Sequence, residues 1–557
     1  MKNPVIAICL ESADLILLEK WIKQGYLKNL AKLRSQGTYG RLFSPVQYPE
    51  QKDQFVITEC LWVMFATGCL PHKTGYWSPV DYRQDNYQVT YDSRNGGYDY
   101  QEYLPFYTLL ENQRVTVFDL PVSTLCQQVQ GLQVLGWGGH DPFTPSHSLP
   151  PELLPELTAK HGKDQIYQND IGIWWDKKYR KWLPEVLKTN IAKRSAICQD
   201  LLSRAPWDFF LTVLSETHTA GHDLCVYSYP DHPLHQTLKP DQNSPDVMLE
   251  VYERIDQAVG EIIAQAPENA YTLVFSLHGM DVNMADLLTM LFLPEYLYRF
   301  NFPGKTAIAP GDVNTPPGAM ITNPVRNSWL GEIWVRNTPQ NWAQKLFKSW
   351  TPSNFLSSPE NGLDCPFSLL DGSHNLAWMP SRWYQPLWSQ MKAFALPTFT
   401  DGQIRINLKG REAEGIVEPS EYDQLCEEIT QFLSQIVNAR TGKPVVKRVI
   451  RTRKSPLEDE SKLPDADLIV KWHDTPVDVV DSPQFGRIGP VPYFRPGGHR
   501  ERGFLMATGP GITPNSSFGS GNVVDLPATI LDLLNVPIPD YFDGKSLLEN
   551  ELRTTLV

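Results

Sequence analysis

The chain has 557 residues and a formal net charge of −13, from 50 Lys and Arg against 63 Asp and Glu. With 41% hydrophobic residues, among them 16 Trp, 23 Tyr and 23 Phe, it can bury a large core, which excludes wholesale disorder. The acidic balance excludes a general nucleic-acid-binding surface, whose affinity would come from clustered Lys and Arg.

The one basic run, KRVIRTRK at 447–454, is too short and too interrupted by apolar residues to change that. No stretch approaches the ~18–20 apolar residues of a membrane span. The opening MKNPVIAICLESAD has an apolar run too short for a signal peptide and reads as a buried strand. Eight cysteines are scattered without a CxxC pair, which suits reduced, mostly buried thiols and a cytoplasmic location. The 46 prolines imply many turns and long ordered loops rather than a helical bundle.

In chain order, VIAICL (5–10) is a strand, followed by a helical stretch over 14–37 in which Leu15, Leu18, Trp21, Ile22, Leu30 and Leu33 recur at helical spacing around Gly25. In TECLWVMFATG, Thr58 stands ahead of an apolar helical turn, where a hydroxyl suits an N-cap. VTVFDL (115–120), LQVLGW (132–137) and DFFLTVLS (208–215) read as strands. A strongly amphipathic helix over 246–265 leads to the strand YTLVFSL (271–277). Further on, ADLIVKW (466–472) and GFLMATG (503–509) are strands and DLPATILDLLN (525–535) is a helix. Continuous apolar strands between helices predict a doubly wound α/β fold with a mainly parallel sheet covered on both faces.

Two stretches break the alternation, 81–205 and 281–400, and read as excursions that form lids or pockets. Their aromatic residues (Trp174, Trp175, Trp182, Trp329, Trp334, Trp342 and Trp350) suit either ordinary packing, the commoner case, or an apolar or base-stacking pocket wall. SPLEDESKLPDAD (455–467) reads as a solvated loop.

Ligands of open parallel sheets bind beyond the carboxyl ends of the strands. The polar residues that follow the strands here are Glu11, then Glu216, His218 and His222, then His278, while His499 precedes GFLMATG. His218 and His222 are four apart, which puts both imidazoles on one helical face in a chelate spacing that also arises by chance. A carboxylate at the end of an apolar strand, as at Glu11 beside Ser12, calls for a partner, and a cation is a natural one. Taken singly, each of these residues has an ordinary structural explanation; taken together they imply one site at one sheet edge.

The order of these segments resembles the type I phosphodiesterase/nucleotide pyrophosphatase family of the alkaline phosphatase superfamily. LESADLILLEKWIKQGYLKNLAKLRSQGTYGRL is similar to that family's Asp-Gly-Ala-Asp opening and the helix after it. TECLWVMFATGCLPHKTG resembles its nucleophile segment, SLHGMD its Ser-Asp-His-Gly-Met segment, and GGHRERGFLMATGPGI with VVDLPATILDLLNVPIPDYFDGKSLL its closing segments. The similarity spans roughly 1–80, 205–280 and 395–550. It implies an alkaline-phosphatase-like core over 1–280 and 400–557, with 81–205 partly an excursion and 281–400 an inserted cap.

Carried over residue by residue, the resemblance makes Thr58 the nucleophile and a metal ligand, together with Glu11 and His278 at one ion. His218, His222 and His499 stand at the other. The departures are large: Glu11 and His218 stand where the family has Asp, and Leu277 replaces a third Asp. Nitrogen donors favour zinc, so the expectation is one firm Zn²⁺ and a second metal that is weak or absent, completed if at all by Asp281, Glu216 or the substrate. Thr74 also replaces a family His that is not a ligand. The implied activity is hydrolysis of phosphate mono- or diesters, a nucleotide or another organophosphate, with a small-molecule substrate and no nucleic-acid polymer or membrane as partner. The alternatives are a transferase or a sulfate- or phosphonate-ester enzyme on the same fold, or a binding protein that has lost catalysis.

Overall fold

The six apolar residues Val5–Leu10 form β1, and every one is buried, the pattern of a strand covered on both faces. Alternate side chains divide between two cores: Val5, Ala7 and Cys9 face one, Ile6, Ile8 and Leu10 the other. The computed structural model describes residues 3–46, 55–56, 58, 60–91, 98–138, 144–166, 172–238, 246–316, 329–337, 362–364, 376–458 and 461–548.

The helical stretch after β1 is two helices, α1 (Leu15–Gln24) and α2 (Lys28–Gln36). Asp14 caps α1 by accepting from the Leu17 N–H at 3.0 Å, and Gly25, at φ +83°, ends it in the left-handed conformation. β2 (Thr38–Phe43) and the short buried helix α3 (Leu61–Thr67) follow.

Residues 81–205 are more than an excursion. They supply three strands of the central sheet, β3 (Val115–Phe118), β4 (Gly131–Leu135) and β5 (His147–Leu149), and then the 28-residue helix α4 (Lys177–Arg204). This helix escaped the sequence reading because Pro184 and a polar surface blur its period. β6 (Phe209–Leu214), α5 (Glu216–Ser228), α6 (Val247–Ile263), β7 (Tyr271–Ser276) and β8 (Gly279–Val282) complete the first half.

A second, four-stranded antiparallel sheet holds β9 (Ala393–Leu396), β10 (Gly402–Ile406), β11 (Val446–Arg451) and β12 (Leu468–Trp472) in the order β9-β10-β12-β11. The strand expected at 466–472 therefore belongs here and not to the central sheet. The basic run forms β11 and the residues after it. Arg453 is buried, with Nη1 donating to the Ala466 carbonyl at 2.6 Å. The presumed solvated loop 455–467 ends in Asp467, which is fully buried and accepts from Arg411 at 2.7 and 2.8 Å and from the Tyr422 hydroxyl at 2.7 Å. Cations from separate segments make burial of this carboxylate tolerable.

β13 (Gly497–Arg500) pairs with β8, and β14 (Gly503–Thr508), β15 (Ser516–Asn522) and the helix α7 (Asp525–Leu533) close the fold. The nine-stranded central sheet runs β15-β2-β14-β7-β1-β6-β3-β4-β5. β7, β1, β6, β3 and β4 are mutually parallel, while β14 and β5 run against their neighbours. Helices α1, α2, α4, α5 and α6 pack on one face, and α3 and α7 on the other. This is the mainly parallel, doubly wound α/β architecture expected. The seven described cysteines are free and buried. Among the described residues no helix is long and apolar enough to cross a membrane. Trp174 and Trp329 are packed in the interior, each donating its indole N–H to a backbone carbonyl; Trp342 and Trp350 lie outside the described residues.

Candidate active site

The carboxyl ends of β1, β6 and β7 lie side by side, because these strands are neighbours in parallel register. Their continuations are Glu11–Ser12, the first turn of α5, and Leu277–His278. α5 presents His218 and His222 from successive turns, with ring centroids 4.5 Å apart. β13 brings His499 to 5.1 Å from the first ring and 4.9 Å from the second. Glycine makes this approach possible: a Cβ at Gly497 would lie 1.9 Å from the Gly221 carbonyl oxygen, so any side chain there would push the strand off the helix. One potential ligand atom from each of His218, His222 and His499 lies within 4.8 Å of the other two. Sequence separation of nearly 280 residues is thus closed by one strand–helix contact.

His278 stands beside this group, its ring centroid 4.8 Å from that of His499. Its Nε2 lies 2.8 Å from His499 Nδ1 and 2.8 Å from the Ser12 hydroxyl. On the far side, His222 Nδ1 lies 2.8 Å from the Gly497 carbonyl oxygen. Since a carbonyl only accepts, that contact fixes the proton on Nδ1 and leaves the Nε2 lone pair of neutral His222 for a cation.

Glu11 is buried at the end of β1. Its Oε1 lies 3.4 Å from the Trp62 indole nitrogen and 3.4 Å from Ser12 Oγ, and its backbone carbonyl accepts from Thr217 Oγ1 at 2.6 Å. Ser12 itself adopts φ +51°, a left-handed conformation that costs a non-glycine residue about 1–2 kcal/mol.

Thr58 is not the N-cap of α3. That position is Cys60, which makes no side-chain capping bond. With two residues between it and the first helical turn, the Thr58 hydroxyl instead lies 3.1 Å from Thr400 Oγ1. Thr58, Thr400 and His499 line one cavity of about 230 Å³ together with Asp281, Lys471 and Trp472. Burial pulls the Lys471 ammonium down, but Asp401 and Glu501, each 2.9 Å away, more than offset it and hold its pKa above the ordinary lysine value. The small sheet therefore supplies one wall of a cavity whose other walls come from the central fold.

Glu216, considered above as a completing ligand, is committed elsewhere. Its oxygens lie 3.0 and 3.2 Å from Arg194 Nε, and the same guanidinium binds Asp119 at 2.6 Å. Asp281 does line the cavity, 3.9 Å from Arg500. Residues that the sequence reading passed over are Arg194, the hydroxyl of Ser12, and Thr400. The last carried a signal, since the polar TFTD follows the apolar AFALP as polar residues follow the other strands.

The fold is the mainly parallel, doubly wound α/β fold of alkaline-phosphatase-superfamily proteins. A family model of type I phosphodiesterase/nucleotide pyrophosphatase matches residues 5–303, and the chain belongs to that family, whose members are phosphoester hydrolases. Among solved structures, a mutant of alkaline phosphatase PafA is similar with a TM-score of 0.50 at 12% identity, covering 99% of both chains. An inactive variant of murine ectonucleotide pyrophosphatase/phosphodiesterase 5, in complex with AMP, aligns over 97% of this chain and 96% of its own at 11% identity and a TM-score of 0.45. Phosphonoacetate hydrolase from Sinorhizobium meliloti, in complex with phosphonoformate, aligns over 96% of both chains at 11% identity and a TM-score of 0.47. Comparison with curated proteins returns no match.

Proposed function

We propose that this chain is a metal-dependent hydrolase of small phosphoesters in which Thr58 is the nucleophile and His218, His222 and His499 hold a divalent cation. The observation that carries the reading is the convergence of three imidazoles from α5 and β13, with His499 and the Thr58 hydroxyl lining one cavity. The donor set fits zinc: three imidazoles whose candidate ligand atoms lie within 4.8 Å of one another, one with its Nδ1 turned to the Gly497 carbonyl so that Nε2 would face the ion. A bound cation would act as a Lewis acid on the phosphoryl oxygens.

The chain's own residues do the rest. Thr58 Oγ1 attacks phosphorus, the ester oxygen departs as the alcohol, and water then cleaves the threonine phosphate to release phosphate and restore the hydroxyl. Thr400 fixes the rotamer of that hydroxyl, and the cavity of about 230 Å³ has room for a compact ester. Family membership supports the reaction class. Leu277, buried where the family carries an Asp, is the observation that favours the second reading, a protein that binds phosphoesters without turning them over.

The test is a panel of p-nitrophenyl esters of phosphate, phosphonate and sulfate, each with zinc or manganese added to the full chain. The expected result is metal-dependent turnover of a phosphate ester that falls on the order of 10³-fold or more in Thr58→Ala. Failure of the metal-supplemented protein to turn over any ester would sink the hydrolase reading and favour the binding protein. Turnover of sulfate or phosphonate alone would move the substrate class.

A further inference from the structure

We propose that His278 does not ligate a second ion but orients His499 toward the first, so that the chain binds one divalent cation per molecule. This rests on the reading of His218, His222 and His499 as the cation site.

The residues around His278 fit a second ion poorly. Of the four positions that the family pattern offers it, Leu277 has no donor atom, and its side chain is buried in the apolar core. His278 Nε2, the ring nitrogen that faces the site, is engaged twice at 2.8 Å, by Ser12 Oγ and by His499 Nδ1. An imidazole nitrogen has a single in-plane lone pair or a single proton. A cation on that atom would have to displace both neighbours.

The same contacts make sense as support for His499. If His499 coordinates through Nε2, its Nδ1 carries the proton and needs an acceptor, and the group 2.8 Å from that nitrogen is His278 Nε2. His222 shows the matching arrangement, with Nδ1 against the Gly497 carbonyl at the same distance. The two imidazoles thus have one acceptor each behind them, which is how histidine ligands are held in orientation. Ser12 completes the device. Its Oγ lies 2.8 Å from the same His278 nitrogen and 3.4 Å from Glu11 Oε1, to which its hydroxyl donates, and its left-handed backbone stands at a position where the family opening carries glycine.

The experiment is a metal count on the full chain, stripped with chelator and then titrated with Zn²⁺ or Co²⁺ alone. The wild type is expected to take up one ion per chain and to give the visible spectrum of a single four-coordinate Co²⁺. His278→Ala is expected to keep that stoichiometry with affinity weakened ~10–100-fold and a shifted Co²⁺ spectrum. His278→Gln, whose amide oxygen can accept from His499, recovers part of the loss. His222→Ala, checked for native circular dichroism, loses the ion altogether. Two ions per wild-type chain, with one lost in His278→Ala, would overturn this inference and leave the proposed hydrolase intact. Unchanged affinity and spectrum in His278→Ala would overturn the positioning role. Uptake of no metal by the wild type would overturn the proposed cation site itself, and this inference with it.

Discussion

The first two turns of α5 face two buried polar regions that meet their electrostatics in opposite ways. Around Arg194 the charges are matched within the protein: one fully buried guanidinium reaches Asp119 at 2.6 Å, Glu216 at 3.0 Å, Ser215 Oγ at 3.0 Å and the Gly138 carbonyl at 3.3 Å. Phe118 and Trp137 enclose it, their ring centroids 5.6 and 5.1 Å away. Two residues further on, His218 begins a region that gathers imidazoles instead, four rings linked by centroid distances of 4.5–5.1 Å, of which His499 lines the cavity. The first region already contains its cation. In the second, one nitrogen of each of three rings lies within 4.8 Å of the other two, an arrangement that suits a cation brought from outside. What separates a structural cluster from a candidate site here is where the positive charge comes from, since both are buried.

The largest effect that tests this contrast is on stability. Arg194→Met leaves Asp119 and Glu216 buried without their cation, and we expect a loss of about 3–5 kcal/mol in urea unfolding. Arg194→Lys restores a point charge without the fork and recovers part of it. His222→Ala, unfolded in chelator, should cost only about 1–2 kcal/mol, the loss of the donor to the Gly497 carbonyl. If it costs as much as Arg194→Met, the imidazole region is a structural cluster too, and the distinction fails.

Metal addition inverts the ranking. At zinc concentrations of 100 times its dissociation constant, linkage predicts about 2.7 kcal/mol of added stability for the wild type. His222→Ala should gain none, while a surface control such as Lys160→Ala should gain as the wild type does. A zinc-dependent rise of equal size in His222→Ala would place the ion elsewhere.

A smaller change sharpens the cavity side of the comparison. Thr400→Val removes the hydroxyl 3.1 Å from Thr58 and is expected to lower kcat/KM roughly tenfold, the value of about one hydrogen bond. The metal stoichiometry should not move. An unaltered kcat/KM would show that Thr58 needs no help from the small sheet.

The architecture was legible in the sequence because β1, β6 and β7 are unbroken apolar runs between helices, a pattern that only a doubly covered parallel sheet accounts for. The meeting of His218, His222 and His499 was legible in part. The first two share a helical face by spacing, and the third stands where a strand of the resembling family begins. What escaped depends on side-chain direction and on contacts between distant segments. Thr58 precedes a helix and invites the role of cap, yet the helix begins three residues later, behind Cys60, and the hydroxyl turns to Thr400, 342 residues away. Glu216 sits beside His218 in sequence, yet the helical turn sends its carboxylate to Arg194. No periodicity in the segment around Arg194 signals that the cation occupying this site comes from the middle of a long helix that runs on through Pro184. Ser12 was visible as a residue, but its positive φ, which decides where the hydroxyl points, is not a property that a side chain of that type announces.

The smallest effect concerns pH and the edge of the Arg194 region. Burial, and after it the charge of Glu216, raises the Asp164 carboxyl to about 7, against the lowering influence of Arg194. The folded state therefore holds a proton on Asp164 more tightly than the unfolded chain, whose carboxyl titrates near 3.8. By linkage its contribution to stability is full below about pH 4, falls as pH rises toward 7, and is gone above that. Asp164→Asn keeps an oxygen for the Asn190 amide and the Ile166 N–H and cannot titrate. The difference in unfolding free energy between wild type and Asp164→Asn, from urea titrations, should shift against the wild type from pH 5 to pH 8, by about 1 kcal/mol or less because solvent reaches the side chain. A shift in the opposite direction would mean that Arg194 governs this carboxylate as firmly as it governs Asp119 and Glu216, and the charge-matched region would extend one residue further than its hydrogen bonds indicate.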